Sequence, residues 1–141
     1  MKSIGTLIRL RQHEMDAARR ALSELEVVSH EIEARRQALD EEFASESARA
    51  HGDAEASFVL GDYIAAVRMR RQALDWEKQA LEPEIALAEA RVRDAFRELK
   101  CFELAETMQA DRAAKVLESL EQDRLDEVAL SSFRQNAEDQ A

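Results

Sequence analysis

The fold is decided by residues 43–60, FASESARAHGDAEASFVL, which separate two long stretches of periodic hydrophobic sequence. Positions 44–57 hold no large hydrophobic residue, and Gly52 followed by Asp53 is a pair typical of turns. The sequence therefore predicts that the chain reverses direction at about residues 49–56.

Hydrophobic residues on both sides of this turn recur at alternating steps of three and four, the spacing of a coiled-coil seam. Nine of the twelve such positions from Ile4 to Phe43 are apolar, as are eleven of the thirteen from Leu60 to Phe102. Each seam is buried against the other if the chain folds back on itself. The predicted fold is all-α: one domain, residues 1–141, forming a long antiparallel two-helix coiled-coil hairpin, with a first helix over about 3–48 and a longer second helix over about 57–135.

The composition agrees with a helical coiled coil, because 80 of the 141 residues are Ala, Glu, Lys, Leu or Arg. A net charge of −10 argues against a nucleic-acid partner, whose phosphates would be repelled. No window approaches the roughly 18 apolar residues that span a bilayer, so we expect no direct membrane insertion. The lone Cys101 excludes an internal disulfide framework and favours a cytoplasmic location.

The two seams also predict a register, which sets Phe43 opposite Leu60, Leu22 opposite Leu81, and Met15 opposite Ala88. Charged residues interrupt the seams, and two interpretations stay open for Arg36, Arg71 and Lys78. These residues either pair with acidic residues near the seam and fix the register, or extend into solvent. The acidic candidates are Glu33, Asp40 and Asp75.

The second helix continues for about 40 residues past Leu99, where the first helix offers no partner. Its heptad pattern weakens there, so we expect this overhang to be frayed in isolation and residues 136–141 to be disordered. Pro83 lies inside the second seam, whose rhythm continues in phase from Leu81 to Ile85. This favours a kinked helix over a break into two helices.

A search for catalytic chemistry yields no candidate. The three glycines are isolated, so no glycine-rich phosphate-binding loop is present. His13-Glu14 and His30-Glu31 are not followed by the second histidine of a zinc-protease motif. The sequence therefore predicts no catalytic residues, no metal site and no cofactor.

A second hydrophobic stripe lies opposite the seam of the second helix and includes Met69, Trp76 and Leu87. Two interpretations are open for it. Its alanines can be ordinary helix formers beside one chance surface tryptophan, or the stripe can be a docking face, since exposed Trp and Met at helical spacing are common interface anchors. We favour the docking face.

Three segments of the chain resemble the FliJ family, the coiled-coil component of the bacterial flagellar type III export apparatus. The first is Leu7-Ile8-Arg9-Leu10-Arg11, followed by Leu22 and Leu25. The second is Tyr63-Ile64 with Arg71-Gln72. The third is Glu98-Leu99-Lys100 and the later run EQDRLDEVA at 121–129, with Phe133 after it. Pro83 departs from the family pattern and puts the straightness of the second helix in doubt.

The resemblance implies an antiparallel hairpin, similar to the stalk subunit of rotary ATP synthases, that binds the export ATPase FliI, the export-gate protein FlhA and some chaperones. It implies a protein that is not an enzyme and that lies at the export apparatus, cytoplasmic and peripheral to the inner membrane. By regional carry-over, the ATPase-facing residues would be Ile4, Leu7, Ile8, Arg11, Leu120, Leu125, Asp126, Glu127 and Phe133. Those facing the gate would be Phe43, Phe58, Tyr63, Met69, Trp76 and Leu87.

Two alternatives remain at this stage. One is the equivalent stalk protein of a virulence type III secretion system, which resembles the FliJ family in shape. The other is a self-associating coiled-coil scaffold, whose seams would be covered by other copies of the chain. The FliJ-like interpretation expects a chain that is monomeric alone.

Overall fold

The computed structural model describes residues 3–52 and 54–140, and the side chains of residues 54–58, Phe58 among them, lie outside this description. The described chain forms helix α1, Ile4–Ala50, and helix α2, Ala54–Asp139. These 47 and 86 residues form the predicted all-α hairpin of unequal helices. The chain divides into two compact units, one of Gln12–Arg97 and one of Met1–Arg11 with Glu98–Ala141.

Ser3 caps the start of α1. Its hydroxyl oxygen accepts a hydrogen bond from the Thr6 backbone N–H at 3.3 Å, and its carbonyl accepts from the N–H groups of Thr6 and Leu7, both at 3.1 Å. The first N–H groups of a helix have no intrahelical acceptor, so this residue satisfies donors that would otherwise depend on water.

The hydrophobic core lies along the two predicted seams. All twelve seam positions of α1 and all thirteen of α2 are buried or half-buried, which confirms the predicted seams. The most buried side chains are Val67, Ile32, Met15, Ala88, Leu39, Leu99 and Ile8 on these seams, together with Ala50. None of the described side chains is completely buried, because each of the two helices covers only one face of the other.

The seam of α1 continues past its predicted end. Glu46 is half-buried and Ala50 is buried, and both follow Phe43 in the same rhythm of three and four. Small residues at 44–50 supply little hydrophobic signal, but alanine is the best helix former and no breaker occurs before Gly52. The helix therefore runs on to Ala50, and the connection to α2 is shorter than predicted.

This extension shifts the register by about one heptad, so the predicted pairing of Phe43 with Leu60 is wrong. Leu60 instead lines a groove with Ala50, and Met15 lines one with Val92 and Phe96. The predicted opposition of Leu22 to Leu81 and of Met15 to Ala88 shifts by the same amount.

Three of the ion pairs between the helices fix the observed register. Arg36 Nη1 lies 2.7 Å from Asp75 Oδ1, Arg71 pairs with Asp40, and Lys78 pairs with Glu33. Of the two interpretations left open by the sequence, the structure therefore has the one in which the charged seam residues pair with Glu33, Asp40 and Asp75. The pKa of Glu33 is lowered by the hydrogen bond and the charge of Lys78, so this pair stabilises the hairpin at neutral pH and is lost as acid protonates the carboxylate.

The register predicts which exposed sites approach each other. Spin labels at Glu24 and Ala86 should lie closer than labels at Glu24 and Gln79, because Ala86 is the residue across from Glu24. The seven-residue offset between the two α2 sites corresponds to about 10 Å along a helix. Pulsed electron–electron double resonance, carried out in a Cys101→Ser background, measures the two label-to-label distances.

Dilution with unlabelled chain serves as the control, because it removes distances between chains and keeps those within one. A shorter distance for the Glu24 and Gln79 labels would restore the register that the hydrophobic pattern alone suggests.

Helix α2 passes through Pro83 without ending, so the interpretation as two separate helices is wrong. Leu81 and Ile85 on either side of the proline are both half-buried in the seam. Packing on both sides holds the helix together even though proline lacks an N–H donor and crowds the preceding turn. A kink at this point stays a prediction.

Replacing Pro83 by alanine should stabilise the protein by about 1–3 kcal/mol, because it restores a backbone hydrogen bond and relieves the steric conflict. The proline is exposed, so the substitution removes no core contact. Urea unfolding followed by circular dichroism measures the change. Glu84→Ala, at an exposed neighbouring position, should change stability by less than about 0.5 kcal/mol. A destabilised Pro83→Ala protein would mean that α2 depends on the shape of the proline.

Candidate partner-binding faces

Helix α2 extends well beyond the part that α1 covers. Leu99 is buried and Phe102 and Glu103 are half-buried, whereas every described residue after them is exposed. Residues 104–139 are called the arm below. The helix continues to Asp139, so the predicted disorder of residues 136–141 is wrong for 136–139.

The arm is amphipathic between Ala110 and Val128, although all of its faces are exposed. A helix turns about 100° per residue, which places every apolar residue of this segment within one half of the helix surface. This half is called the arm face and consists of Ala110, Ala113, Ala114, Val116, Leu117, Leu120, Leu125 and Val128, with Glu121, Arg124 and Glu127 among them.

The opposite half of the same segment is entirely polar. It carries Asp111, Arg112, Lys115, Glu118, Ser119, Gln122, Asp123 and Asp126. The Gln122 amide donates to the Asp126 carboxylate at 3.3 Å on this side. A helix with one apolar and one polar half normally buries the apolar half, yet Leu117 is 67% exposed. The arm face therefore has the composition of a buried surface without a covering element among the described residues.

The strict heptad pattern of the hairpin follows this face only in part. Steps of three and four from Phe102 lead to Glu106, Gln109 and Asp123, which makes the arm look weakly patterned. One additional step of four, from Glu106 to Ala110, restores an apolar line through Leu117 and Leu120. Such an insertion of four residues locally unwinds a coiled coil and moves its seam around the helix.

The N-terminal residues predicted to contact the ATPase pack, in part, against the chain's own second helix. Ile8 is only 9% exposed, and Ile4, Leu7 and Arg11 are half-buried. Arg11 Nη1 donates to Glu98 Oε2 at 2.7 Å, and its guanidinium lies 5.3 Å from the centre of the Phe102 ring. These residues attach the start of α1 to α2.

The predicted C-terminal residues are exposed but do not all share one face. Leu120, Leu125 and Glu127 lie on the arm face, while Asp126 lies on the polar half and Phe133, further along, points the same way as that half by helical periodicity. Eighteen residues separate Phe102 from Leu120, or about 27 Å of helix. The structure therefore does not bring the N-terminal and C-terminal predicted residues together.

Two of the residues predicted to face the gate pack against each other near the bend. The rings of Phe43 and Tyr63 are stacked, with centroids 6.2 Å apart. The Tyr63 hydroxyl is shielded from solvent and has no hydrogen-bond partner among the described residues. Its pKa is raised by this burial and, to a smaller extent, by the carboxylates of Glu42 and Glu46. The pair is part of the hairpin's own packing, and Phe58 lies outside the described side chains.

The outer stripe of α2 is exposed as the sequence predicts. Met69 is 75% exposed and Trp76 63% exposed, and Leu87 is likewise exposed. Met69 and Trp76 lie away from the seam on the part of α2 that pairs with α1, whereas Leu87 lines a groove with Ala18 and Leu25 of α1. Large apolar side chains left in water at helical spacing are typical of a docking surface.

Neither a metal cluster nor a membrane span is found in the described part of the chain. Its histidine, cysteine and acidic residues form no group of three or more that could hold a metal ion. None of its helices has a segment long and apolar enough to cross a bilayer.

The fold and these faces define a class of protein: an antiparallel helical hairpin whose longer helix carries uncovered apolar surfaces. The family model described as flagellar FliJ protein matches residues 1–138, and the chain belongs to this family. Membership in this family supports the prediction that the protein is a component of flagellar protein export.

Two relatives illustrate the similarity, both flagellar FliJ proteins of Caulobacter vibrioides, from strain NA1000 / CB15N and strain ATCC 19089 / CIP 103742 / CB 15. Each is 27% identical to this chain over 129 residues, covering 92% of this chain and 93% of the relative. No solved structure matches the chain.

Proposed function

We propose that this chain is a flagellar export component that docks its arm face into the export ATPase FliI. The observation that carries the proposal is the amphipathic segment from Ala110 to Val128, which is exposed on all sides. An unpaired helix is only marginally stable in water, so a partner that covers this face would also order the arm. The identity of the partner follows from the family resemblance, and the role is that of a binding protein and not of an enzyme.

The arm is a better docking element than the start of α1. Ile8 and Arg11 already contact or cover parts of α2, so a partner could bind them only by separating the helices. Leu117 and Leu120 need no such rearrangement. In this proposal the N-terminal residues hold α1 in place, and the arm makes the contact.

The outer stripe at Met69, Trp76 and Leu87 is proposed to bind the export gate FlhA or export chaperones. It lies outside the arm, so both surfaces could be occupied at once. A chain with these two surfaces would connect the ATPase to the gate from the cytoplasmic side of the inner membrane, peripheral to it and without inserting.

The two alternatives from the sequence have less support. Both seams are covered within one chain, which favours a monomer over a scaffold whose seams pair with other copies. The family match is to flagellar proteins, which favours flagellar export over a virulence secretion system.

Replacing Leu117 and Leu120 together by glutamate should weaken binding to FliI by at least about tenfold, because it places two charges in the centre of the apolar surface. Leucine and glutamate have similar helix propensities, so the helical content should be kept. Co-sedimentation and stimulation of the FliI ATPase measure the effect.

Ser119→Glu with Gln122→Glu is the matched control, since it adds the same charge on the polar half of the same turns. It should leave binding within about twofold of wild type. A chain ending after Glu103, which keeps the contact between Arg11 and Phe102, should not bind FliI at all. Full stimulation of FliI by this shortened chain would contradict the proposal.

Trp76 provides a direct signal for the second contact. Its fluorescence should be that of a water-exposed indole in the free chain, and should shift to the blue when the purified FlhA cytoplasmic domain is added, because binding would bury the ring. Leu87→Ala should weaken this shift, whereas Leu104→Ala, an exposed leucine on the arm, should not. An unchanged spectrum at a saturating concentration of bound FlhA would place the gate contact elsewhere.

A further inference from the structure

A groove on the hairpin combines an apolar floor with a basic rim. Met15 from α1 and Val92 and Phe96 from α2 form the floor, and Arg19, Arg93 and Arg97 surround it. Its volume is about 330 Å³. Phe96 is 45% exposed, which leaves the largest apolar side chain of the groove in contact with water.

The three arginines differ from the cations of the seam. Arg36, Arg71 and Lys78 each have a carboxylate partner across the hairpin. Within the described residues, Arg19, Arg93 and Arg97 form no ion pair, even though Asp16 and Glu89 lie three and four residues from them in sequence. The groove thus carries three guanidinium groups that form no ion pair within the described residues, in a chain with a net charge of −10.

From this arrangement we propose that the groove binds an acidic amphipathic helix of a partner protein. Such a helix would lie along the two helices of the hairpin, place apolar side chains on Phe96 and Val92, and direct carboxylates to the rim. Arg93 and Arg97 are one turn apart, or about 6 Å along the axis, which matches glutamates four residues apart on the bound helix. Guanidinium groups can bind carboxylates with two hydrogen bonds each.

Charge and shape favour a protein helix over the other anionic partners. A nucleic acid or an anionic membrane extends far beyond the groove and would meet the excess negative charge of the rest of the chain. A short helix can be confined to the groove and its basic rim. The apolar floor also needs apolar side chains from its partner, which a phosphate backbone does not provide. This site is separate from the arm face and the outer stripe, so it does not depend on their proposed partners.

The test uses the full chain and a synthetic helical peptide, alanine-based, with leucines at steps of three and four flanked by glutamates four residues apart. Fluorescence anisotropy at low salt should show saturable binding. A peptide with glutamine in place of every glutamate should bind at least about tenfold more weakly, and so should the Arg93→Glu, Arg97→Glu double variant with the original peptide. Binding should also weaken as salt rises, because ions screen the contacts on the rim.

Arg68→Glu with Arg91→Glu is the matched control, since it changes the charge equally at exposed sites away from the groove, with Arg91 lining the opposite side of α2. The control should bind the glutamate peptide within about twofold of wild type. Phe96→Ala should weaken binding without altering the helical signal of the chain.

Several results would overturn the proposal. Equal binding of the glutamate and glutamine peptides would do so, as would equal loss in the control variant. Binding of phosphatidylglycerol vesicles or of a single-stranded oligonucleotide, with no peptide binding, would assign the basic rim to a different class of partner. Concentration-dependent dimerisation that is lost in the Arg93→Glu, Arg97→Glu variant would assign the groove to a second copy of the chain.

Discussion

The length of α1 is the constraint on which the rest of the structure depends. A two-helix coiled coil buries a seam only where both helices are present, and α1 has 47 residues against 86 in α2. Burial on α2 ends near Glu103, where the cover from α1 is used up. All the apolar surface beyond that point must be covered by another molecule or remain in water. The exposed arm is thus a direct consequence of an imbalance visible in the sequence.

The hairpin itself is held by a thin layer of contacts. Its side chains are buried along one line on each helix, and each ion pair between the helices is at the surface, where such pairs contribute about 0–1 kcal/mol. Stability is therefore distributed over many seam positions and not concentrated in a few. The faces that point away from the seam contribute little to the fold, so their apolar residues can be used for binding without weakening the hairpin.

The sequence predicted the helices, their seams and the exposure of Trp76, because these depend on a local period that each segment carries. It misplaced the register by about one heptad, since a seven-residue repeat looks the same after a shift of seven. The two registers differ in the residue that lies opposite Leu60, which is Phe43 in the predicted register and Ala50 in the observed one. The small residues 44–50 gave little signal to choose between them. The ion-pair partners of Arg36, Arg71 and Lys78 could have identified the correct register, because the observed register satisfies all three.

The arm face was missed for a related reason: one additional step of four interrupts the heptads, although the separation of apolar from polar residues around the helix remains. The basic groove joins residues more than seventy positions apart, so no local pattern could reveal it.

The three ion pairs have a further consequence that follows from the order of their charges. Along α1 the signs are negative, positive, negative at Glu33, Arg36 and Asp40, and along α2 they are positive, negative, positive at Arg71, Asp75 and Lys78. Sliding one helix by three or four residues in either direction brings like charges face to face, whereas sliding by seven restores one attractive pair. The order of the charges thus disfavours small axial displacements of one helix along the other, and it adds to the seam in selecting the observed register.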